Sequence, residues 1–457
     1  MKQFDDLIIG TGQAGPFLAG RLAESGRQVA IVERKLFGGT CVNTGCTPTK
    51  AMVASAYAAH LARRGAEFGV NVGGKVSVDM PRVKARRDAI VQESRRGLQS
   101  WLEEMDNCTV FEGHARFESA HTISVGDDRL TADRIFINVG GRASMPKMPG
   151  LGQIEFFNNS SLMEIDFVPK HLIVVGGSYI GLEFGQMFRR FGSEVTIIEM
   201  GQRLVRREDP DVSAAVHEII AREGIQIRLN AKCIGFSKRN DETFAQVDCA
   251  SGDPEVSGTH VLLAVGRLPN TDDLGLEKAG LTTDKGGYIT VDDQLRTNVS
   301  GIWAMGDCNG RGAFTHTAFN DAEIVAANLL DGDPRRVTDR IPAYALYIDP
   351  PLGRCGLTEA EVRQRGRPVL VGKRPMTKIK RAIEKGETEG FMKIFVDTET
   401  REILGAVILG SGGDEIIHSI LDLMYAKAPA TVIQRAMHIH PTVSELIPTM
   451  LGELAPL

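Results

Sequence analysis

Two stretches of this chain share one pattern. Leu7–Glu33, LIIGTGQAGPFLAGRLAESGRQVAIVE, reads as strand, glycine turn, helix, strand and a closing acid. Ile173–Glu199, IVVGGSYIGLEFGQMFRRFGSEVTIIE, reads the same way. From first turn glycine to acid is 23 residues in both, Gly10 to Glu33 and Gly176 to Glu199. In the first copy Gly10 makes the turn, Gly12 lets backbone amides approach a pyrophosphate, and Gly15 lets the helix pack on the strand. Glu33 is placed to accept hydrogen bonds from a ribose hydroxyl. The second copy reads Gly176, Ser178, Gly181, so a serine replaces the middle glycine and closer approach is restricted there. A lone turn of this kind is weak; two with identical spacing imply two dinucleotide sites. Glu199 favours a free 2′-hydroxyl and repels a 2′-phosphate, which points to NADH over NADPH. Against this, Arg203, Arg206 and Arg207 follow closely and could grip a phosphate.

The second constraint is Gly38–Lys50, GGTCVNTGCTPTK. Cys41 and Cys46 stand close enough for a small disulfide-closed loop, and Gly38, Gly39 and Gly45 permit tight turning. Beyond Pro48 the chain is rich in helix formers, so Cys46 is expected near a helix N-terminus. There the free N–H groups and the dipole favour thiolate over thiol. The plain alternative is two buried structural cysteines; the flanking glycines, Pro48 and Lys50 argue for a redox pair. The other cysteines (Cys108, Cys233, Cys249, Cys308, Cys355) are scattered, which suits a reducing compartment and not a secreted disulfide framework. At 457 residues the chain suggests roughly three domains. A net charge of −5 gives no reason to expect nucleic acid as a partner. Met1 leads almost directly into the strand-like DLIIG, leaving no room for a signal peptide, and no apolar run reaches the roughly 20 residues of a membrane span. A cytoplasmic enzyme without a resident metal is expected. The run from about Val76 to Asn107 reads as a helix with a solvated, charged face.

The cysteine stretch resembles the active-site disulfide of the class I pyridine nucleotide-disulfide oxidoreductases. Dihydrolipoamide dehydrogenase, glutathione reductase and mercuric reductase belong to that family. The resemblance runs through essentially the whole chain, with its motifs in the family's order. Ile135–Gly150 takes the place of the family's A-T-G-S strand end but reads Asn138-Val139-Gly140-Gly141, keeping glycine for close approach and losing the Thr. Gly266-Arg267-x-Pro269-Asn270 resembles the return to the first lobe, and Asp307 the acid that contacts the flavin ribityl chain. Phe314, Thr315 and His316 match positions whose backbone holds the flavin, as His114 and Ala115 match its adenine side; Thr40 and Lys50 lie in the cysteine motif itself. From Ile341 the resemblance is to the dimerisation domain, closing with MHIHPTVSELIP.

What the resemblance implies is an α/β fold with two Rossmann-like dinucleotide-binding domains and a C-terminal α+β dimerisation domain. Residues 1–148 and 267–340 would form the FAD domain, 149–266 the NAD(P) domain, and 341–457 the dimerisation domain. It implies FAD in the first lobe, NADH or NADPH in the second, Cys46 as the sulfur next to the flavin and Cys41 as the outer nucleophile. His440 would be the acid/base, oriented by Glu445 and donated by the other subunit of a homodimer; His438 would be structural. Lys50 would lie against the flavin with Glu183 as its partner, and Tyr179 would cover the nicotinamide pocket. Three functions compete. The first is reduction of a disulfide, as in dihydrolipoamide dehydrogenase. The second is reduction of a metal ion or small oxidant, as in mercuric reductase. That reading is weakened because no cysteine follows Cys355, no small metal-binding domain precedes the first strand, and His440 stands where mercuric reductases carry Tyr. The third is a flavin-bearing binding subunit of a multienzyme complex.

Overall fold

The computed structural model describes residues 1–232, 234–240, 242–248 and 253–457; Cys233 and Cys249 lie outside these. Its first sheet is built around β1 (Lys2–Ile9), which pairs in parallel with β2 (Val29–Glu33) on one side. The helix α1 (Ala14–Glu24) makes the crossover between them. The last three residues of β1, Leu7 to Ile9, are all apolar before Gly10 makes the turn; such runs, lacking alternation, are what a strand buried on both faces requires. Leu7, Ile8 and Ile31 are fully buried.

The cysteine segment follows as α2 (Gly39–Thr44) and α3 (Cys46–Arg64), then the long α4 (Met80–Glu103). Asp79 caps α4 by accepting from the Arg82 N–H at 3.1 Å. The charged face expected there is solvated only in part. Arg87 is buried and donates to the Met163 carbonyl at 2.7 Å, and Arg86 donates to the Ala51 carbonyl of α3 at 2.8 Å. These charges therefore fasten α4 to its neighbours.

Strand β3 (Cys108–Glu112) pairs in parallel beyond β2. A hairpin, β4 (Ala115–Ser119) and β5 (Thr122–Val125), leads into β6 (Asp128–Ile137), which returns to the other side of β1. The short strand Ile302–Ala304 adds in parallel to the end of β6. One hydrophobic core accordingly takes residues from Leu7 to Ile137 and again from Leu274 to Ala326.

Between these two portions the chain builds a second parallel sheet, in the order Gln226–Arg228, Glu194–Ile198, His171–Val175, His260–Leu263. Its entering and leaving segments, Gly141–Ala143 and Arg267–Pro269, pair antiparallel with each other. The C-terminal portion is a six-stranded antiparallel sheet whose central strands, Phe391–Asp397 and Ile403–Leu409, are buried along their whole length. The helix Gly413–Tyr425 lies on it.

Candidate active site

The sulfur pair sits where α2 and α3 meet. The expected small loop is instead helical: Cys41 lies inside α2 and Cys46 opens α3, with the break at Gly45 (φ −134°, ψ −116°). A Cβ on Gly45 would stand 2.8 Å from the Thr40 carbonyl, so the break needs glycine. Gly39 (φ +60°) faces the first glycine turn, where its Cβ would stand 2.9 Å from Gly12 Cα. The sulfur helix is thus seated directly on that turn. Thr11 fastens the contact: its hydroxyl donates to Glu33 Oε2 at 2.6 Å and accepts from the Gly38 N–H at 3.2 Å.

The two sulfurs stand as thiols within hydrogen-bond reach of one another. Cys46 is pulled down to about 6, chiefly by the hydrogen bond from Cys41. The Thr315 hydroxyl, 3.1 Å from Cys46 Sγ, and the positive charge of Lys50 act in the same direction, against desolvation. The same sulfur–sulfur hydrogen bond, helped by burial, pushes Cys41 up. One thiol is therefore poised as thiolate while the other keeps its proton.

Lys50 lies one turn along α3 from Cys46 and reaches across to the second lobe. Its Nζ is 2.8 Å from Glu183 Oε2, on the helix Tyr179–Phe191, and 4.4 Å from the centre of the Tyr347 ring. The other Glu183 oxygen accepts from the Tyr347 N–H at 3.0 Å. Tyr179 is tethered: its hydroxyl donates to Glu208 Oε1 at 2.9 Å, an oxygen that also accepts from Tyr344 at 2.7 Å. Its ring stands edge-on to Phe314 and Tyr344. His316 stacks on Phe314 and contacts the Ala343 carbonyl at 2.7 Å.

The two glycine turns repeat one construction. A Cβ on Gly10 would stand 2.4 Å from the Asn138 carbonyl, and one on Gly15 2.2 Å from the Gly10 carbonyl. In the second lobe the corresponding distances are 2.3 Å from Gly176 to the Ala264 carbonyl and 1.9 Å from Gly181 to the Gly176 carbonyl. The closing acids are held by backbone donors. Glu33 accepts from Thr11 N at 3.1 Å and Lys35 N at 2.9 Å, Glu199 from Gly177 N at 2.7 Å and Gly201 N at 2.6 Å. Two cradles that side chains would fill, each ending in an oriented carboxylate, fit two dinucleotides. His114 and Ala115 lie just past β3, beside Glu33, whose carbonyl accepts from Gly113 N at 2.8 Å. Asp307 approaches Arg267 at 3.4 Å, and burial pushes its carboxyl up. Arg267 also donates to the Gly141 carbonyl at 2.6 Å, which gathers Gly140, Gly141, Gly266 and Asp307 at one junction; Thr40 Oγ1 reaches the same carbonyl at 3.5 Å.

His440 and Glu445 are paired, Nδ1 to Oε2 at 2.9 Å, but nothing among the described residues links them to the cysteines. The imidazole is 74% exposed and its neighbours Ile439 and Met437 are 80% and 100% exposed.

Family models agree with this geometry. Residues 4–322 match the pyridine nucleotide-disulphide oxidoreductase model, and residues 342–451 match that family's dimerisation domain. The chain belongs to this family. It is 34% identical to the probable pyridine nucleotide-disulfide oxidoreductase RclA of Escherichia coli, over 97% of this chain and 98% of the relative. Identity is 32% with dihydrolipoyl dehydrogenase of Thermus scotoductus (97% and 96% covered) and 31% with mercuric reductase of Streptomyces lividans (97% and 94%). The solved Cu(II) complex of the HOCl-induced flavoprotein disulfide reductase RclA superposes with a TM-score of 0.90 at 32% identity, covering 99% of this chain and all of that one. This pyridine nucleotide-disulfide oxidoreductase is an enzyme that uses FAD and NAD(P)H and acts as a disulfide reductase, and it carries the family's dimerisation domain. Among the described residues, no helix is long and apolar enough to cross a membrane.

Several neighbours of the site were invisible in the motifs. The Thr315 side chain, Tyr347 and Glu208 come from segments far from the residues they touch. Asn43 was likewise missed: its amide donates to the Phe37 and Gly39 carbonyls at 2.8 and 2.9 Å, and its oxygen accepts from Arg95 of α4 at 2.8 Å. Only the N-T-G string inside the cysteine motif could have drawn attention to it.

Proposed function

We propose that this enzyme passes electrons from NADH through the Cys41–Cys46 pair to a small disulfide of the lipoamide class. The observation that carries this reading is the seating of Cys41 and Cys46 where α2 meets α3, on the first glycine turn, with the Thr315 hydroxyl 3.1 Å from Cys46 and Lys50 one helical turn away. FAD, when bound, supplies the two-electron relay between nicotinamide and sulfur that side chains cannot provide. The residues that hold it are Gly10, Gly12, Gly15, Glu33, Thr40, His114, Ala115, Gly140, Gly141, Asp307 and the backbone of Phe314–His316. Gly176, Ser178, Gly181, Glu199 and Gly266 hold the nicotinamide dinucleotide, with Tyr179 over its pocket. NADH is favoured because Glu199 is fixed as an acceptor by two backbone donors, and because Arg203 is committed to the Arg206 and Glu208 carbonyls. The four segments 1–148, 149–266, 267–340 and 341–457 act as the first FAD, NAD, second FAD and dimerisation parts.

The chemistry at sulfur follows from the tuning. Cys41, losing its proton to His440 of a second copy, attacks the substrate disulfide and forms a mixed disulfide, and the leaving thiolate takes that proton. The Cys46 thiolate then displaces the second substrate thiolate from Cys41 and closes the Cys41–Cys46 bond. Lys50, fixed by Glu183, stabilises the negative charge on Cys46. Glu445, bonded to Nδ1, leaves Nε2 of His440 to carry the proton. The exposure of His440 in one chain supports a homodimer in which each site borrows the other copy's imidazole, and we place that dimer in the cytoplasm.

NADH oxidation with lipoamide, glutathione disulfide, Hg²⁺, Cu²⁺ and quinones as separate acceptors tests the reading; Cu²⁺ is included because RclA is known as a Cu(II) complex. A disulfide should be the preferred acceptor, and turnover confined to metals or quinones overturns the proposal. Cys41→Ser should abolish disulfide turnover while the protein stays yellow, whereas a flavin-bearing binding subunit would be indifferent to it. His440→Gln should slow turnover by roughly 10² to 10⁴.

A further inference from the structure

Glu208 is a buried carboxylate that none of the roles above uses. It stands just before the helix Pro210–Arg222 of the second lobe, and both of its side-chain oxygens are engaged. Oε1 accepts the hydroxyls of Tyr179 at 2.9 Å and Tyr344 at 2.7 Å, and Oε2 accepts Arg354 Nε at 2.7 Å. Arg354, fully buried in the strand Leu352–Gly356 of the C-terminal sheet, also donates through Nη2 to Asp209 at 2.9 Å. Lys393, buried in the strand Phe391–Asp397 of the same sheet, meets Asp209 at 3.0 Å and Asp211 at 2.7 Å. Charges taken this far out of water are tolerated only where they are paired. The pairs run from the C-terminal sheet to the phenol of Tyr179, the first residue of the helix after the second glycine turn.

That phenol is firmly held. Burial and the Glu208 charge push its ionisation far up, so the hydroxyl keeps its proton and donates. A hydrogen bond to a carboxylate is stronger than one between neutral groups. The ring also stands edge-on to Phe314 and Tyr344, with centres 6.3 and 5.8 Å away. Swinging it out would break the bond at an oxygen closed to water and leave that oxygen with Tyr344 alone. Given that Tyr179 covers the nicotinamide pocket, as proposed above, we infer that Glu208 is a positioning residue that holds the Tyr179 ring as a fixed wall of that pocket, not as a swinging gate. A wall ordered beforehand spares the nucleotide the cost of ordering it. Through Arg354 and Lys393, the C-terminal sheet sets where that wall stands.

The test is binding of NAD⁺ to the FAD-loaded protein, followed as a perturbation of the flavin absorbance, with flavin content recorded for each variant. Tyr179→Phe keeps the ring and removes the tether; Glu208→Gln keeps the shape and removes the charge. Each should raise the Kd for NAD⁺ roughly fivefold, the cost of ordering one side chain, while flavin content stays as in the wild type. The double variant should bind no more weakly than the weaker single one, because both changes cut the same bond. A Kd for Tyr179→Phe within about twofold of wild type overturns the inference, as that is less than one ordered side chain. A Kd that falls overturns it too, since the ring would then be a gate; the Phe variant decides both points even if Glu208→Gln does not fold. Single effects that multiply in the double variant also overturn it, because Glu208 would then act by a route other than Tyr179. Tyr179→Ala separates the tether from the placement beneath it. Weaker binding in Ala but not in Phe leaves Tyr179 at the pocket and removes the tether, whereas unchanged binding in Ala removes the placement and the inference with it.

Discussion

The two dinucleotide turns repeat one construction and have unlike surroundings. The first is closed in on every side: Gly39 of the sulfur helix presses on Gly12, Thr11 bridges Glu33 to Gly38, and Asn138 fills the space behind. The second is open at its middle position, where Ser178 is exposed, and the adjacent aromatic, Tyr179, is tethered by a hydrogen bond to Glu208. Enclosure suits a group that stays, and an exposed middle position suits one that comes and goes each turnover. The contrast teaches that a repeated motif fixes where a dinucleotide lies, while residence time is set by what the rest of the chain packs around it.

The largest effect should come from the turn glycines themselves. Ala at Gly10 (φ +105°) or Gly176 (φ +117°) is strained and meets a carbonyl, at a cost on the order of 2 kcal/mol. Gly10→Ala should purify without flavin, whereas Gly176→Ala should stay yellow but fail to be reduced by NADH in a stopped-flow absorbance trace. If Gly176→Ala sheds its flavin instead, the two lobes are not independent and the comparison fails. A smaller effect is expected at the acids. Glu199→Ala should lower the preference for NADH over NADPH by roughly tenfold, about one hydrogen bond to a charged group, with no change in flavin content. Loss of flavin there would reverse the assignment of the two sites.

The smallest effect concerns Cys46, whose thiolate is set mainly by Cys41, Thr315 and Lys50. Alkylation of the reduced pair should show a midpoint near pH 6, because the rate follows the thiolate fraction. Taken alone, the Cys46 thiol, depressed from 9.0 to about 6, stabilises the reduced protein above pH 9 and loses that contribution as pH falls through about 6, while the raised Cys41 thiol opposes it as pH climbs past the ordinary thiol range. Glu183 opposes the shift from the second lobe, so Glu183→Gln should move the midpoint lower. A midpoint that rises would mean that Lys50 depends on Glu183 for its position more than it is neutralised by it.

What could be read from the chain follows contact distance along the sequence. The glycine turns, their acids and the helix start at Cys46 are local, governed by spacing within one βαβ unit or one helix. Lys50 and Glu183 were paired through a family resemblance, since 133 residues separate them and no periodicity connects them. Thr315, 269 residues from Cys46, is picked out by the resemblance for its backbone alone; its hydroxyl beside the sulfur is not legible, because a hydroxyl brought in by tertiary packing looks like any other. Asn138 was noticed only as a departure from a strand-end pattern; its buried amide needed coordinates. The charged face of α4 is solvated as expected except where Arg87 and Arg95 find partners in other segments, contacts that the helix's own sequence does not announce.

Gly141–Ala143 and Arg267–Pro269 run side by side in opposite directions, so the chain leaves the first sheet and comes back to it through a single doorway. Everything between is topologically a cassette, and no strand of the first sheet would have to be cut or reordered to replace it. A lineage could therefore trade one electron donor for another by recombination at that doorway, while the sulfur chemistry downstream was inherited unchanged.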